Sequence, residues 1–140
     1  MSEIANSKSV HRRRILLADD NFLMLERVTR FLQPTFEIVG VAQNGVEMVS
    51  EAIRLSPDII VADISMPELD GIKAAHRLRK MGATSAIVFL TIHEDSEFVG
   101  ACMDAGAFGY VLKSHMKTDL IPAIAAALSG HCFVSPAVQT

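Results

Sequence analysis

Residues 59–71 read Ile59-Ile60-Val61-Ala62-Asp63-Ile64-Ser65-Met66-Pro67-Glu68-Leu69-Asp70-Gly71. Four apolar residues in succession end abruptly in a carboxylate, and a continuous apolar run is what a strand covered on both faces requires. The next stretch has helical spacing: Ile72, Ala75 and Leu78 fall on one face behind Asp70, a plausible N-cap. Gly82 stands where that helix should stop. The unit is strand, acid, turn, helix.

The same alternation extends in both directions. Short aliphatic runs occur at Ile15–Ala18, Phe36–Ala42, Ala86–Leu90 and Ala107–Leu112. Between them lie helical stripes: Phe22, Leu25, Val28 or Thr29, and Leu32; Val46, Val49 and Ile53; Phe98, Ala101 and Cys102; Leu120, Ile121, Ile124 and Leu128. Asn44 and Thr118 are further candidate N-caps, Gly106 and Gly130 further stops, and Pro122 is read as close enough to a helix start to be tolerated. Strand and helix alternate five times, which predicts parallel strands joined by right-handed helical crossovers in an α/β protein, a three-layer α/β/α sandwich. Residues 1–12 are polar and aperiodic and read as a flexible N-terminal tail. Residues 13–130 form the folded domain. Residues 131–140, with Pro136 and no helical pattern, read as a linker or C-terminal extension.

Composition bounds what such a domain does. The 140 residues suit one domain, half of them apolar and about a fifth charged, with a formal charge of −3. That balance excludes a surface that is basic throughout, and Arg12-Arg13-Arg14 alone cannot sustain specific DNA binding. Cys102 and Cys132 are too few for a disulfide scaffold and fit a reducing cytoplasm. The most apolar stretch, Leu120–Leu128, is half the length a membrane span needs, and the run after Arg14 is too short for a signal peptide. A cytoplasmic location with no membrane contact is expected.

In an open α/β sheet, chemistry gathers beyond the carboxyl ends of the strands. Strand one ends in Asp19-Asp20, strand three in Asp63, strand four in Thr91 and strand five in Lys113. Taken singly, Asp20 could be a helix cap, and Thr91 and Lys113 merely solvated. Taken together, three carboxylates crowd one rim, and like charges a few Å apart cost free energy unless a cation neutralises them. An oxygen-only cluster suits Mg²⁺, which keeps waters and awaits a phosphate oxygen. Phosphoryl chemistry is the leading expectation.

These residues resemble the receiver domains of two-component response regulators. The likeness rests on Asp19-Asp20, on Asp63-Ile64-Ser65-Met66-Pro67 with Asp70-Gly71, on Thr91, and on Tyr110-Val111-Leu112-Lys113, and it covers about residues 13–130. The closing Gly130-His131-Cys132-Phe133-Val134-Ser135-Pro136 is similar to the segment leaving the receiver in NarL/FixJ-type regulators. For the fold, the resemblance implies a flavodoxin-like (βα)5 domain with a five-stranded parallel sheet in the order 2-1-3-4-5. For the chemistry, it implies that Asp63 accepts a phosphoryl group from a sensor histidine kinase. Asp19, Asp20, Asp63 and the Ser65 carbonyl would hold Mg²⁺, while Lys113 and Thr91 would contact phosphoryl oxygens. Such a protein modifies itself and is not a turnover enzyme on an external substrate.

The same resemblance makes Ser65 and His93 positions that tune the phosphoryl lifetime, although His93 also reads as a plain surface histidine. It makes Tyr110 a switch coupled to Thr91, against the alternative of a half-buried aromatic plugging the sheet edge. Gly71 would relax the backbone as helix three begins. Output is expected at the face of helix four, strand five and helix five, with self-association there or through helices one and five. DNA would be contacted only through a C-terminal helix-turn-helix domain absent from this chain. The alternative is a stand-alone receiver acting by protein binding or phosphorelay. A haloacid dehalogenase-type phosphatase needs a second Asp where Ser65 stands, a flavodoxin needs a Ser/Thr/Gly-rich loop where Asp19-Asp20-Asn21-Phe22 stands, and no P-loop is present.

Overall fold

Ile59–Ala62 is buried at every position, as its unbroken apolar character demands, and it is the central strand, β3. The structure, a computed structural model, describes residues 12–138. Around β3 run β1 (Arg14–Ala18), α1 (Phe22–Leu32), β2 (Glu37–Ala42), α2 (Gly45–Leu55), α3 (Gly71–Lys80), β4 (Ala86–Thr91), α4 (Ser96–Asp104), β5 (Gly109–Leu112), α5 (Met116–Leu128) and β6 (Phe133–Val134). All the strands pair in parallel.

Side-chain alternation along the strands splits the core into two layers. Leu16, Ala18, Ile60, Ala62, Ile87, Phe89, Tyr110 and Leu112 face α2, α3 and α4. Ile15, Leu17, Ile59, Val61, Val88, Leu90 and Val111 face α1 and α5. The three-layer α/β sandwich is therefore present.

The sheet has six strands, in the order β2-β1-β3-β4-β5-β6, and not the five expected. Within the expected linker or extension, the Phe133 N–H donates to Phe108 O at 2.8 Å and the Ser135 N–H to Tyr110 O at 2.8 Å. Two residues are too few to show a period in the sequence, so this strand gave no signal. The proposed flexible tail lies outside the described residues except for Arg12. Its guanidinium donates to the carbonyls of Gln33 and Phe36 beyond α1, and Arg14 donates to Leu55 O and Ser56 O at the end of α2. These two arginines close helix C-termini rather than sit as free basic groups.

Caps and stops account for the helix limits. Asn44 and Asp70 accept from the Glu47 and Lys73 N–H groups, as expected. The cap of α1 is Asn21, not Asp20. Thr118 is not a cap, because α5 already begins at Met116, which leaves Pro122 inside the helix rather than at its start. Gly82, Gly106 and Gly130 take positive φ just past α3, α4 and α5. Gly71 has no positive φ; its role is space, since a Cβ there would lie 2.1 Å from Asp63 O.

Candidate functional site

Parallel pairing carries the backbone past the strand ends and sets the acids side by side. The Asp19 N–H donates to Ala42 O at 3.0 Å, and the Asp63 N–H to Ala18 O at 2.9 Å. The Gly71 N–H donates to Ile64 O at 2.7 Å and holds the loop after Asp63 against the start of α3. One carboxylate oxygen from each of Asp19, Asp20 and Asp63 lies within 4.8 Å of the others. Asp19 and Asp63 are buried and Asp20 is exposed.

The acids are not left without a counter-charge. Lys113, set by the end of β5, places Nζ 2.8 Å from Asp19 Oδ2 and 3.0 Å from Asp63 Oδ2. The other Asp63 oxygen accepts from the Ile64 N–H at 2.7 Å, and Asp19 Oδ1 from the Asn21 N–H at 2.9 Å. Burial holds the Asp63 carboxyl above its ordinary range; Lys113 opposes this, and Asp19 adds to it. Burial alone would lower the Lys113 ammonium, yet its contacts with Asp19 and Asp63 outweigh that and raise it. Lys113 thus stays charged, and it only partly offsets the cost of ionising Asp63.

The donor set is oxygen throughout, its innermost acids are fixed by hydrogen bonds, and Asp20 faces solvent. Those features fit Mg²⁺, a hard cation that takes one or two carboxylates and retains waters.

The other residues singled out from sequence fall into one connected cluster. Thr91 is fully buried at the end of β4, and its Oγ1 accepts from the His93 N–H at 3.2 Å. The His93 ring lies 3.0 Å (Nε2) from Ser65 Oγ and stacks on Phe98 at a centroid distance of 4.2 Å. Tyr110 is fully buried, and its hydroxyl donates to His93 O at 2.7 Å. It is neither half-buried nor at an edge, since β6 flanks β5. The direct Ser65–His93 contact was not foreseen, because nothing in the sequence couples residues separated by a strand and a helix. The Ser135–Asp119 contact near the end of β5 was missed for the same reason.

Over residues 15–125 the chain matches the response regulator receiver domain family. It is 31% identical over 140 residues to the transcriptional regulatory protein DegU of Brevibacillus brevis, covering 99% of this chain and 58% of that protein. With the transcriptional regulatory protein LiaR of Bacillus subtilis it shares 36% over 119 residues, 84% of this chain and 56% of the other. Among solved structures, a LuxR-family two-component response regulator from Aurantimonas sp. SI85-9A1 superposes with a TM-score of 0.86 at 32% identity, covering 91% of this chain and 92% of that one. The chain spans a little over half the length of the curated relatives it matches.

Proposed function

The chain belongs to the response regulator receiver domains of two-component systems, and from that premise we propose that Asp63 accepts a phosphoryl group from the phosphohistidine of a sensor histidine kinase. The observation that carries this reading is the pairing of the buried Asp63 carboxylate with Lys113 inside a cluster of three acids. An Asp63 carboxylate oxygen attacks phosphorus in line, the P–N bond breaks, and its electron pair leaves with the imidazole. An acyl phosphate forms. A carboxylate ionised at neutral pH needs no base for this step. It needs orientation and charge neutralisation.

Each residue has a part in that chemistry. The Ile64 N–H and Lys113 fix the two carboxylate oxygens of Asp63. Lys113, already between Asp19 and Asp63, moves its point charge to a phosphoryl oxygen. Thr91 turns its hydroxyl from the His93 N–H toward the phosphoryl group. Ser65 and His93, bonded to each other at the rim, set how readily water reaches phosphorus and so tune the lifetime. Asp19, Asp20, Asp63 and the Ser65 carbonyl would hold Mg²⁺, which when bound supplies positive charge to phosphoryl oxygens.

Because His93, just before α4, donates its N–H to Thr91 Oγ1 and accepts from the Tyr110 hydroxyl, the Thr91 movement reaches the face of α4, β5 and α5, the proposed output surface. Both curated relatives named above are transcriptional regulators longer than this chain. On that basis output is transcription through a helix-turn-helix domain outside these residues, with self-association at the α4–β5–α5 face or through α1 and α5. Catalysis on an external substrate is not part of this function, and the cytoplasm is its location. Among the described residues no helix is long and apolar enough to cross a membrane. The test is incubation with Mg²⁺ and acetyl phosphate, followed by intact mass. One phosphoryl group should be gained by the natural chain and none by Asp63→Asn, while undiminished labelling of that variant overturns the assignment.

A further inference from the structure

The proposed output face already has an occupant, supplied by the chain itself. After α5, residues 133–138 wrap around the β5 side of the sheet. Phe133 packs with the α1/α5 layer of the core, and Val138 with the α2/α3/α4 layer that contains Tyr110. The segment thus lies across the junction of α4, β5 and α5. Its backbone is held by the Phe133 N–H on Phe108 O and the Ser135 N–H on Tyr110 O, each at 2.8 Å, and is turned by the Val138 N–H on Ser135 O at 3.0 Å.

Its anchor is a buried polar junction that the phosphoryl chemistry does not use. Ser135 is 1% exposed and Asp119 9%. The Ser135 hydroxyl donates to Asp119 Oδ2 at 2.7 Å and accepts from the Leu112 N–H at 3.1 Å, while Asp119 Oδ1 accepts from Thr118 Oγ1 at 3.0 Å. One side chain therefore ties the exit segment to α5 and to the end of β5. Leu112 immediately precedes Lys113, whose ammonium holds Asp19 and Asp63. A displacement of Lys113 has one peptide unit to cross before it reaches this hydroxyl. Breaking the junction strands a buried N–H and a buried carboxylate, so it favours discrete states over gradual loosening.

We propose that residues 133–138 are a detachable strap, clasped by Ser135 and Asp119, that docks on the α4–β5–α5 face and is loosened when Lys113 leaves Asp19 and Asp63 for a phosphoryl group. The proposal rests on Asp63 being the phosphoacceptor. It gives the site a mechanical output, since the strap is the path by which the chain leaves the domain. By linkage, whatever frees the strap must also favour the occupied site, because the coupling is reciprocal.

The experiment is amide exchange read by NMR on the 140-residue chain, with and without Mg²⁺ and beryllofluoride, a stand-in for the phosphoryl group. The Phe133, Ser135 and Val138 amides should exchange on the order of tenfold faster in the occupied state, while amides of residues 63–66 also change. Ser135→Ala should release the strap without beryllofluoride and bind beryllofluoride a few-fold more tightly. Asp119→Asn, which still offers an oxygen to Ser135, should keep the strap docked. If residues 63–66 respond while 133–138 do not, the strap is a static cap and this inference fails, although the phosphoacceptor reading stands. An unchanged beryllofluoride affinity in a folded Ser135→Ala variant also overturns it. Silence in both segments overturns the phosphoacceptor reading, and the strap with it.

Discussion

Replacing Lys113 by Met keeps most of the aliphatic stem and removes one charge from the centre of the site. Two contacts are lost, at 2.8 Å to Asp19 and 3.0 Å to Asp63. At an effective dielectric of about 20, each corresponds to roughly 6 kcal/mol of attraction. The two carboxylates, with oxygens within 4.8 Å, then repel by about 3 kcal/mol with nothing between them. Against this stands the several kcal/mol of ammonium desolvation that the variant avoids. With all three groups mostly buried, the net loss for breaking such a cluster is about 3–5 kcal/mol, a large share of a domain's roughly 5–15 kcal/mol.

The pH dependence has a definite sign. Without Lys113 the Asp63 carboxyl, already held above its ordinary 3.8 by burial, loses the group that pulls it down. A folded-state pKa raised above the unfolded value means stability that is full below the unfolded value and lost as pH rises through the folded one. The variant's deficit is therefore complete near neutral pH and narrows toward pH 4. Urea denaturation of both proteins in a chelator, at several pH values, reads this directly. A deficit below about 1 kcal/mol, or one that stays constant across that window, refutes the electrostatic account of the site.

Gly71→Ala places a Cβ 2.1 Å from Asp63 O, so it should lower stability by about 1–3 kcal/mol or more and slow phosphorylation; an unchanged melting curve would show that the loop yields freely. Asp20→Ala should slow uptake from acetyl phosphate most at limiting Mg²⁺, since an exposed ligand is lost while Asp63 and Lys113 remain; a natural rate there would reduce Asp20 to a solvated acid. His93→Ala removes the partner of Ser65 and the ring stacked on Phe98, and should change the decay rate of the phosphorylated protein while leaving one phosphoryl group per chain. Identical decay curves would make His93 a surface residue.

Much of the fold is legible because its signals are local. Unbroken apolar runs become the buried strands β1, β3, β4 and β5, and Asn44, Asp70 and three glycines mark helix limits by their own backbone and capping chemistry. The acids and Lys113 are legible because position at a strand end depends only on the order of elements. What escapes is non-local. Strand β6 has two residues, and its place beside β5 is decided by the packing of the partly buried Phe133 against the core and by Ser135 meeting Asp119. That Asn21 rather than Asp20 caps α1, that Ser65 bonds His93, and that Gly71 is needed for space rather than for its backbone angles all depend on distances fixed only after packing. Pro122 inside α5 is the case where helical packing overrides a local breaker.

Three carboxylates share the site, so the most direct measurement asks which one carries the phosphoryl group. An acyl phosphate is reduced by borohydride to an alcohol, which converts the modified aspartate to homoserine. The chain should be phosphorylated with acetyl phosphate and Mg²⁺, reduced, digested and sequenced by mass spectrometry. Homoserine at position 63 and nowhere else is the predicted result. Homoserine at position 19 or 20, or phosphorylation that leaves residue 63 unreduced, would contradict it.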